Sequence, residues 1–235
     1  MPSILGPDAL GPYKGYDDTV DASVSNIFST ACYRLGHSML SGVVGIGRIG
    51  RSLLLRDLFF RPEEVKRIGV DTLLDGLAYH RMEEIDHHII DDVRSFLFHA
   101  PDPVGSQLLD LVALNIQRGR DHGLPSYNGC REAYGLPRKK TFADMTSDVT
   151  LQQALASVYS DVDDVDPWVG GLCEDHVAGA SVGEFIRTVL VEQFQRTRHG
   201  DRFWYANDHG IDETTKQKLE ATTLADIVQN QRCPA

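Results

Sequence analysis

Apolar residues at Val24, Ile27, Phe28, Ala31, Leu35 and Met39 recur at three- and four-residue steps, which predicts a helix with one buried stripe. Thr30, Arg34, His37 and Ser41 form a second row on a different face. The glycine-rich stretch SGVVGIGRIG, residues 41 to 50, ends this helix, and Pro62 with its two glutamates opens another. Leu73, Leu74, Leu77, Ile85, Ile89, Val93 and Phe96 predict helical structure over 71–99, broken by Pro101 and Pro103. The run LLDLVALNIQRGRDHG, residues 108 to 123, ends in two arginines, a histidine and a glycine, with Pro125 beyond. Cations there sit at the negative end of the helix dipole, and glycine follows the last turn. Residues 148–159 and 181–198 give two more helical patterns, the second stopped by Gly200, and 222–231 gives a short last one. Residues 1–19, rich in Gly, Pro and Asp, read as loop. With no internal repeat and no series of alternating strands, the pattern predicts a mainly α architecture with long irregular connections, most simply one domain over 1–235.

Bulk composition narrows the function classes. The chain has 235 residues, 42% hydrophobic and 24% charged, which is ordinary for a globular domain. A net charge of −11 without a basic stripe argues against nucleic acid or an anionic membrane as partner. No apolar run approaches the roughly 20 residues of a transmembrane segment. The opening MPSILGPDALGPYKGYDD lacks the basic and apolar regions of a secretory signal, and the compartment stays open. The cysteines, Cys32, Cys130, Cys173 and Cys233, form no CxxC pair and force neither a zinc site nor a disulfide. Cys32, inside an apolar pattern, is expected to be a small buried hydrophobe.

Several short patterns invite chemical readings. Gly45, Gly47 and Gly50 match GxGxxG, but a dinucleotide fingerprint needs a strand before and a helix after it within a βαβ unit. A loop or small hairpin is preferred here. Glu84 and His87 make an ExxH pair, and a carboxylate-bridged metal bundle needs two such pairs plus two more glutamates. A solvated face is the preferred reading. His122 suits a helix C-terminal cation, His176 and His209 lie in polar segments without triad partners, and Ser38 has no hydrolase elbow around it.

His37 differs because Arg34 stands three residues before it, close on the same face. A histidine that reaches a metal, beside an arginine that reaches an anion, suits a haem with its iron and propionates. The ligand's other ring nitrogen then needs an acceptor to fix tautomer and orientation. Asn115 sits in the apolar run LVALNI, where an unpaired amide would cost about 1–3 kcal/mol, so it must have a partner. Its oxygen is expected to accept from the imidazole. Arg118, three residues on, repeats the pairing of a polar residue with a cation.

The string ALNIQRGRDHGLPSYN, residues 113 to 128, closely resembles the signature of the animal-type haem peroxidases of the peroxidase–cyclooxygenase superfamily. ILGPDALGPYKGYD, VSNIFSTACYRLGHSML, LPSYNGCREAYGLP, DPWVGGLCEDH and FQRTRHGDRFWYAND follow with family-like order and spacing, from about residue 4 to about 230. The resemblance implies a mainly α fold around buried haem b, with His37 as the iron ligand and Asn115 as its hydrogen-bond partner. It puts Arg34 and Arg118 near the haem propionates. Hydrogen peroxide and a small reducing donor are the implied substrates. The family carries a distal His and an Arg in an REHN-like motif well upstream of the proximal helix. The 36 residues before His37 contain neither that motif nor any histidine, so no catalytic residue is identified in this chain. The family's haem-esterifying carboxylates and calcium loop likewise belong upstream. The expectation is the proximal, C-terminal part of such a peroxidase. Its rivals are a haem-binding or interaction remnant without catalysis and, outside the family, the metal bundle using Glu84 and His87.

Overall fold

The structure, a computed structural model, describes residues 2–48, 50–94 and 110–230; Phe96, Pro101, Pro103 and Cys233 lie outside them. The main elements in chain order are α1 (Asn26–Thr30), a 3-10 helix (Cys32–His37), β1 (Val43–Ile46), β2 (Arg51–Leu54), α2 (Pro62–Ile68) and α3 (Val70–Tyr79). They continue with α4 (Leu111–Asp121), α5 (Tyr127–Ala133), α6 (Val149–Val158), α7 (Pro167–Cys173), α8 (Glu184–Gly200), α9 (Glu213–Ala221) and α10 (Leu224–Asn230). The fold is mainly α, as the pattern predicts, and it divides into two compact units.

The first unit takes residues up to 39, 84–89 and 112–207. Its axis is α8, which buries Phe185, Ile186, Val189, Leu190 and Gln193. Helix α7 lies against α5 through Gly170 and against α8 through Gly171. A Cβ on Gly170 would stand 2.4 Å from the Tyr127 ring, and one on Gly171 would stand 2.8 Å from Ile186. The missing side chains are what let Tyr127 pack edge-on to Phe185, with centroids 5.6 Å apart. Cys32 is buried as expected, together with Leu35 on the 3-10 helix.

Two predicted helices come out shorter, for identifiable reasons. The stripe from Val24 to Met39 is not one α-helix: α1 ends at Thr30, Ala31 leaves helical geometry, and a 3-10 helix follows. Thr30 turns its hydroxyl back onto Asn26 Oδ1 at 2.9 Å, and Gly36 has low helix propensity; both weaken a continuous α-helix. Val24 is exposed instead of buried. Among the described residues, the segment 71–99 is helical only as far as Tyr79 and again over Asp91–Arg94, with residues 80–90 irregular between them. Here tertiary hydrogen bonds win. Ser38 Oγ accepts from Asp86 N–H at 2.9 Å and lies 3.0 Å and 2.8 Å from the Glu84 and Asp86 carbonyls. His176 Nε2–H donates to Ile85 O at 2.7 Å while Ile85 itself is buried.

The second unit takes 40–83, 90–111 and the chain from 208. Its β1–β2 hairpin is antiparallel, with Val43 opposite Leu54 and Ile46 opposite Arg51. The GxGxxG string is therefore a hairpin, as preferred from sequence. Gly47 and Gly50 take positive φ in its turn, and Gly45 packs backbone-to-backbone on Gly76 of α3, where a Cβ on Gly76 would stand 2.0 Å from Gly45 O. Arg56 anchors the buried Asp92 through Nη2 at 3.0 Å. Among the described residues no helix is long and apolar enough to cross a membrane.

Candidate functional site

The 3-10 helix changes how Arg34 and His37 meet. With three residues per turn, positions i and i+3 eclipse, so the two side chains line one edge while Cys32 and Leu35 are buried. Helix α4 brings up Asn115, only 1% exposed. Arg34 Nη1 donates to Asn115 Oδ1 at 2.8 Å, and Asn115 Nδ2 stands 2.8 Å from His37 Nδ1. Arg34 Nε also donates to Ser29 O at 3.3 Å. The pairing of His37 with Asn115 is the one expected, but the amide faces the other way: its oxygen serves Arg34 and its nitrogen serves the imidazole. The cause is Arg34 itself, which can only donate and so claims the oxygen.

Arg118 is exposed on α4, and its charge reaches Arg34. Burial first, and then Arg118, lower the pKa of Arg34. Among the described residues no carboxylate stands within ion-pair distance of either arginine. Two neighbouring guanidinium groups without a counter-charge suit an anionic ligand.

His37 is half-buried, and burial, then the Arg34 charge, hold its pKa below the ordinary value. The unfolded chain therefore takes up this proton before the folded one. The stability this contributes is complete above the unfolded pKa of about 6.5 and is lost as pH falls through the lower folded value. In His37→Gln the urea midpoint should consequently fall less steeply than in the parent chain as pH drops below about 6.5. Equal slopes would place the titrating group elsewhere.

The other candidates do not converge on His37. His122 Nδ1–H donates to Asn26 Oδ1 at 2.9 Å just past the end of α4, beside Gly123 with φ 66°. Arg120 pairs with Asp166 at 2.7 Å. Glu84 and His87 stand outside any helix; Glu84 lies 3.3 Å from His176, and the His87 ring lies against His88. No cluster of three or more His, Cys, Asp or Glu side chains fit to hold a metal occurs among the described residues. Glu84 and His87 therefore do not form the helical ExxH pair that the metal-bundle reading requires. A 760 Å³ cavity between residues 10–20 and the end of α8, lined by Lys14, Asp17, Arg196 and His199, does not include His37.

Sequence reasoning missed one buried ionic network. Arg131 is completely buried and bonds Glu174 and Glu184 at 2.5 Å each. Glu174 also accepts from the Tyr127 hydroxyl and, at 2.7 Å, from Phe185 N–H. Burial raises the Glu174 pKa, while Tyr127, Phe185 and Arg131 oppose that shift. The partners lie 43 and 53 residues from Arg131, beyond the reach of any local period.

A haem would need a nitrogen ligand, a hydrogen-bond partner behind it and cations for two carboxylates. His37, Asn115, Arg34 and Arg118 provide these types together, and His37 Nε2 has no partner among the described residues. The residues fit the group.

Comparison with known proteins agrees. Residues 1–232 match the family described as animal haem peroxidase. The chain is 40% identical to peroxinectin A of Dictyostelium discoideum over 233 residues, covering 97% of this chain and 42% of that protein. It is 35% identical to thyroid peroxidase of Rattus norvegicus over 246 residues, covering 97% of this chain and 26% of that protein. The solved structure of peroxidase A from Dictyostelium discoideum superposes with a TM-score of 0.85 at 39% identity, over 97% of this chain and 44% of that one. The chain belongs to the animal haem peroxidase family. It spans less than half the length of each of these relatives.

Proposed function

We propose that this chain supplies the haem-binding, proximal side of a peroxidase domain, an oxidoreductase that uses hydrogen peroxide to oxidise a small reducing donor. The observation that carries the reading is the Arg34–Asn115–His37 relay, with Arg118 beside it and, among the described residues, no carboxylate paired with either arginine. His37 would supply the nitrogen that holds the iron, Asn115 would orient its ring, and Arg34 and Arg118 would hold the propionates of haem b. When bound, the haem supplies the redox-active iron and the chemistry of peroxide reduction. The protein's part is to keep His37 neutral through burial and a neighbouring cation, and to fix its plane through the buried amide.

Acid–base work on the peroxide is assigned to the distal His and Arg of the family motif, outside these 235 residues. Positioned general acid–base catalysis contributes about 10²–10⁴-fold. The haem-loaded chain alone should therefore oxidise a phenolic donor no faster than free haem at equal iron, and adding the distal segment of a relative should raise turnover by about that factor. Haem titration monitored by the Soret band tests binding; steady-state donor oxidation tests the division of labour. Turnover by the chain alone well above free haem would assign the acid–base role to one of its own residues.

A further inference from the structure

Taking His37 as the haem ligand, as proposed above, we infer that Arg34 is a positioning residue that holds His37 in the non-ligating tautomer until Asn115 turns over. A guanidinium has only N–H donors to offer, so the Asn115 atom 2.8 Å from Arg34 Nη1 is the carbonyl oxygen. The amide nitrogen, also donor-only, is then the atom 2.8 Å from His37 Nδ1. Nδ1 must present its lone pair. A neutral imidazole carries one N–H, which is therefore on Nε2.

A metal ligand needs the opposite arrangement. Nε2 must be bare, Nδ1 must carry the proton, and an acceptor must stand behind Nδ1. Asn115 can become that acceptor by rotating its amide half a turn, with its main chain in place. The rotated NH₂ would then point at Arg34 Nη1–H, donor against donor, in a position only 1% exposed. Arg34 has to withdraw from Asn115, and a carboxylate of the incoming ligand is the group that can draw it. The proton lost from Nε2 is matched by the one gained at Nδ1, so net protonation is unchanged. Haem capture by iron ligation and anion capture by Arg34 become one linked event. Apparent affinity is reduced by the small fraction of ligating tautomer in the haem-free chain.

The test reads the tautomer directly. In the haem-free, ¹⁵N-histidine-labelled chain, long-range ¹H–¹⁵N correlation, assigned with His37→Gln, should show His37 with its proton on Nε2. Arg34→Met, which keeps the stem but removes the donors, should shift population toward the Nδ1–H form. Arg34→Lys, which restores a donor, should return it toward Nε2–H. An Nδ1–H tautomer in the parent chain, or an unshifted one in Arg34→Met, would overturn the inference. If the Nε2–H form is present but neither the parent nor Arg34→Met changes the Soret band from that of free haem, the haem reading fails instead, and the linkage to haem fails with it.

Discussion

Replacing Arg131 by methionine is expected to destabilise the chain by about 3–5 kcal/mol, the range for breaking a buried ion pair from one side. Arg131 is wholly buried and ties three things together: Glu174, Glu184 and, through Nε at 2.8 Å, the carbonyl of Pro137. Methionine conserves much of the volume, so the loss is electrostatic more than a cavity. It leaves Glu174, 6% exposed, facing the core with its main counter-charge gone. Burial already raises the Glu174 pKa, and without Arg131 the carboxyl would protonate or drag in water. Glu184 makes an equally short contact, yet its side chain is 49% exposed. Glu184→Gln should therefore cost no more than about 1 kcal/mol. Adding Glu174→Gln to Arg131→Met removes the stranded charge and should recover part of the loss. Urea unfolding followed by circular dichroism measures all four chains. Equal midpoints for Arg131→Met and Glu184→Gln would show that burial does not make the Glu174 arm the costly one.

The contrast with the sequence follows from how far each signal reaches. Helix α8 and the end of α4 were legible because their causes are local: an apolar period in one, and cations before a positive-φ glycine in the other. The hairpin was legible for the same reason, since a GxGxxG string without βαβ context leaves a turn. The segment 80–90 was not, because Ser38 and His176 decide its path from 48 and 91 residues away. Its apolar residues kept a helical spacing, but Ile85 fills the core from an irregular strand of chain. At the site, the residue types gave the pairing of His37 with Asn115, and the family string agreed. The orientation of the amide was hidden, since it depends on which of two neighbours takes the oxygen. Only the Arg34 contact decides that. The 3-10 geometry that aligns Arg34 with His37 was likewise hidden, because a spacing of three suits either helix type.

His37→Ala is expected to weaken haem binding by more than Asn115→Leu does, and the gap separates the ligand from the residue that orients it. Losing a group that only orients a ligand costs about 10–100-fold in affinity. Asn115→Leu should fall in that range, with His37 still bound to iron but free to rotate. His37→Ala removes the bond itself and should exceed about 100-fold, leaving haem held by Arg34, Arg118 and apolar contact alone. The two variants should also differ spectrally: Asn115→Leu keeps a histidine-ligated spectrum, whereas His37→Ala gives weakly ligated haem that added imidazole converts back. His122→Ala is the control, because His122 is committed to Asn26 just past the end of α4 and, among the described residues, makes no hydrogen bond to the relay. It should lower stability slightly and leave the haem spectrum unchanged. A parent-like spectrum in His37→Ala, with the loss in His122→Ala, would transfer the ligand role to the histidine beyond α4. The Arg34–Asn115–His37 chain would then be a structural tie between the 3-10 helix and α4. The distinction is sharp because Asn115 cannot itself ligate iron well: an amide oxygen is a harder, weaker donor than imidazole nitrogen. An intact spectrum after loss of His37 therefore has no second explanation within the relay.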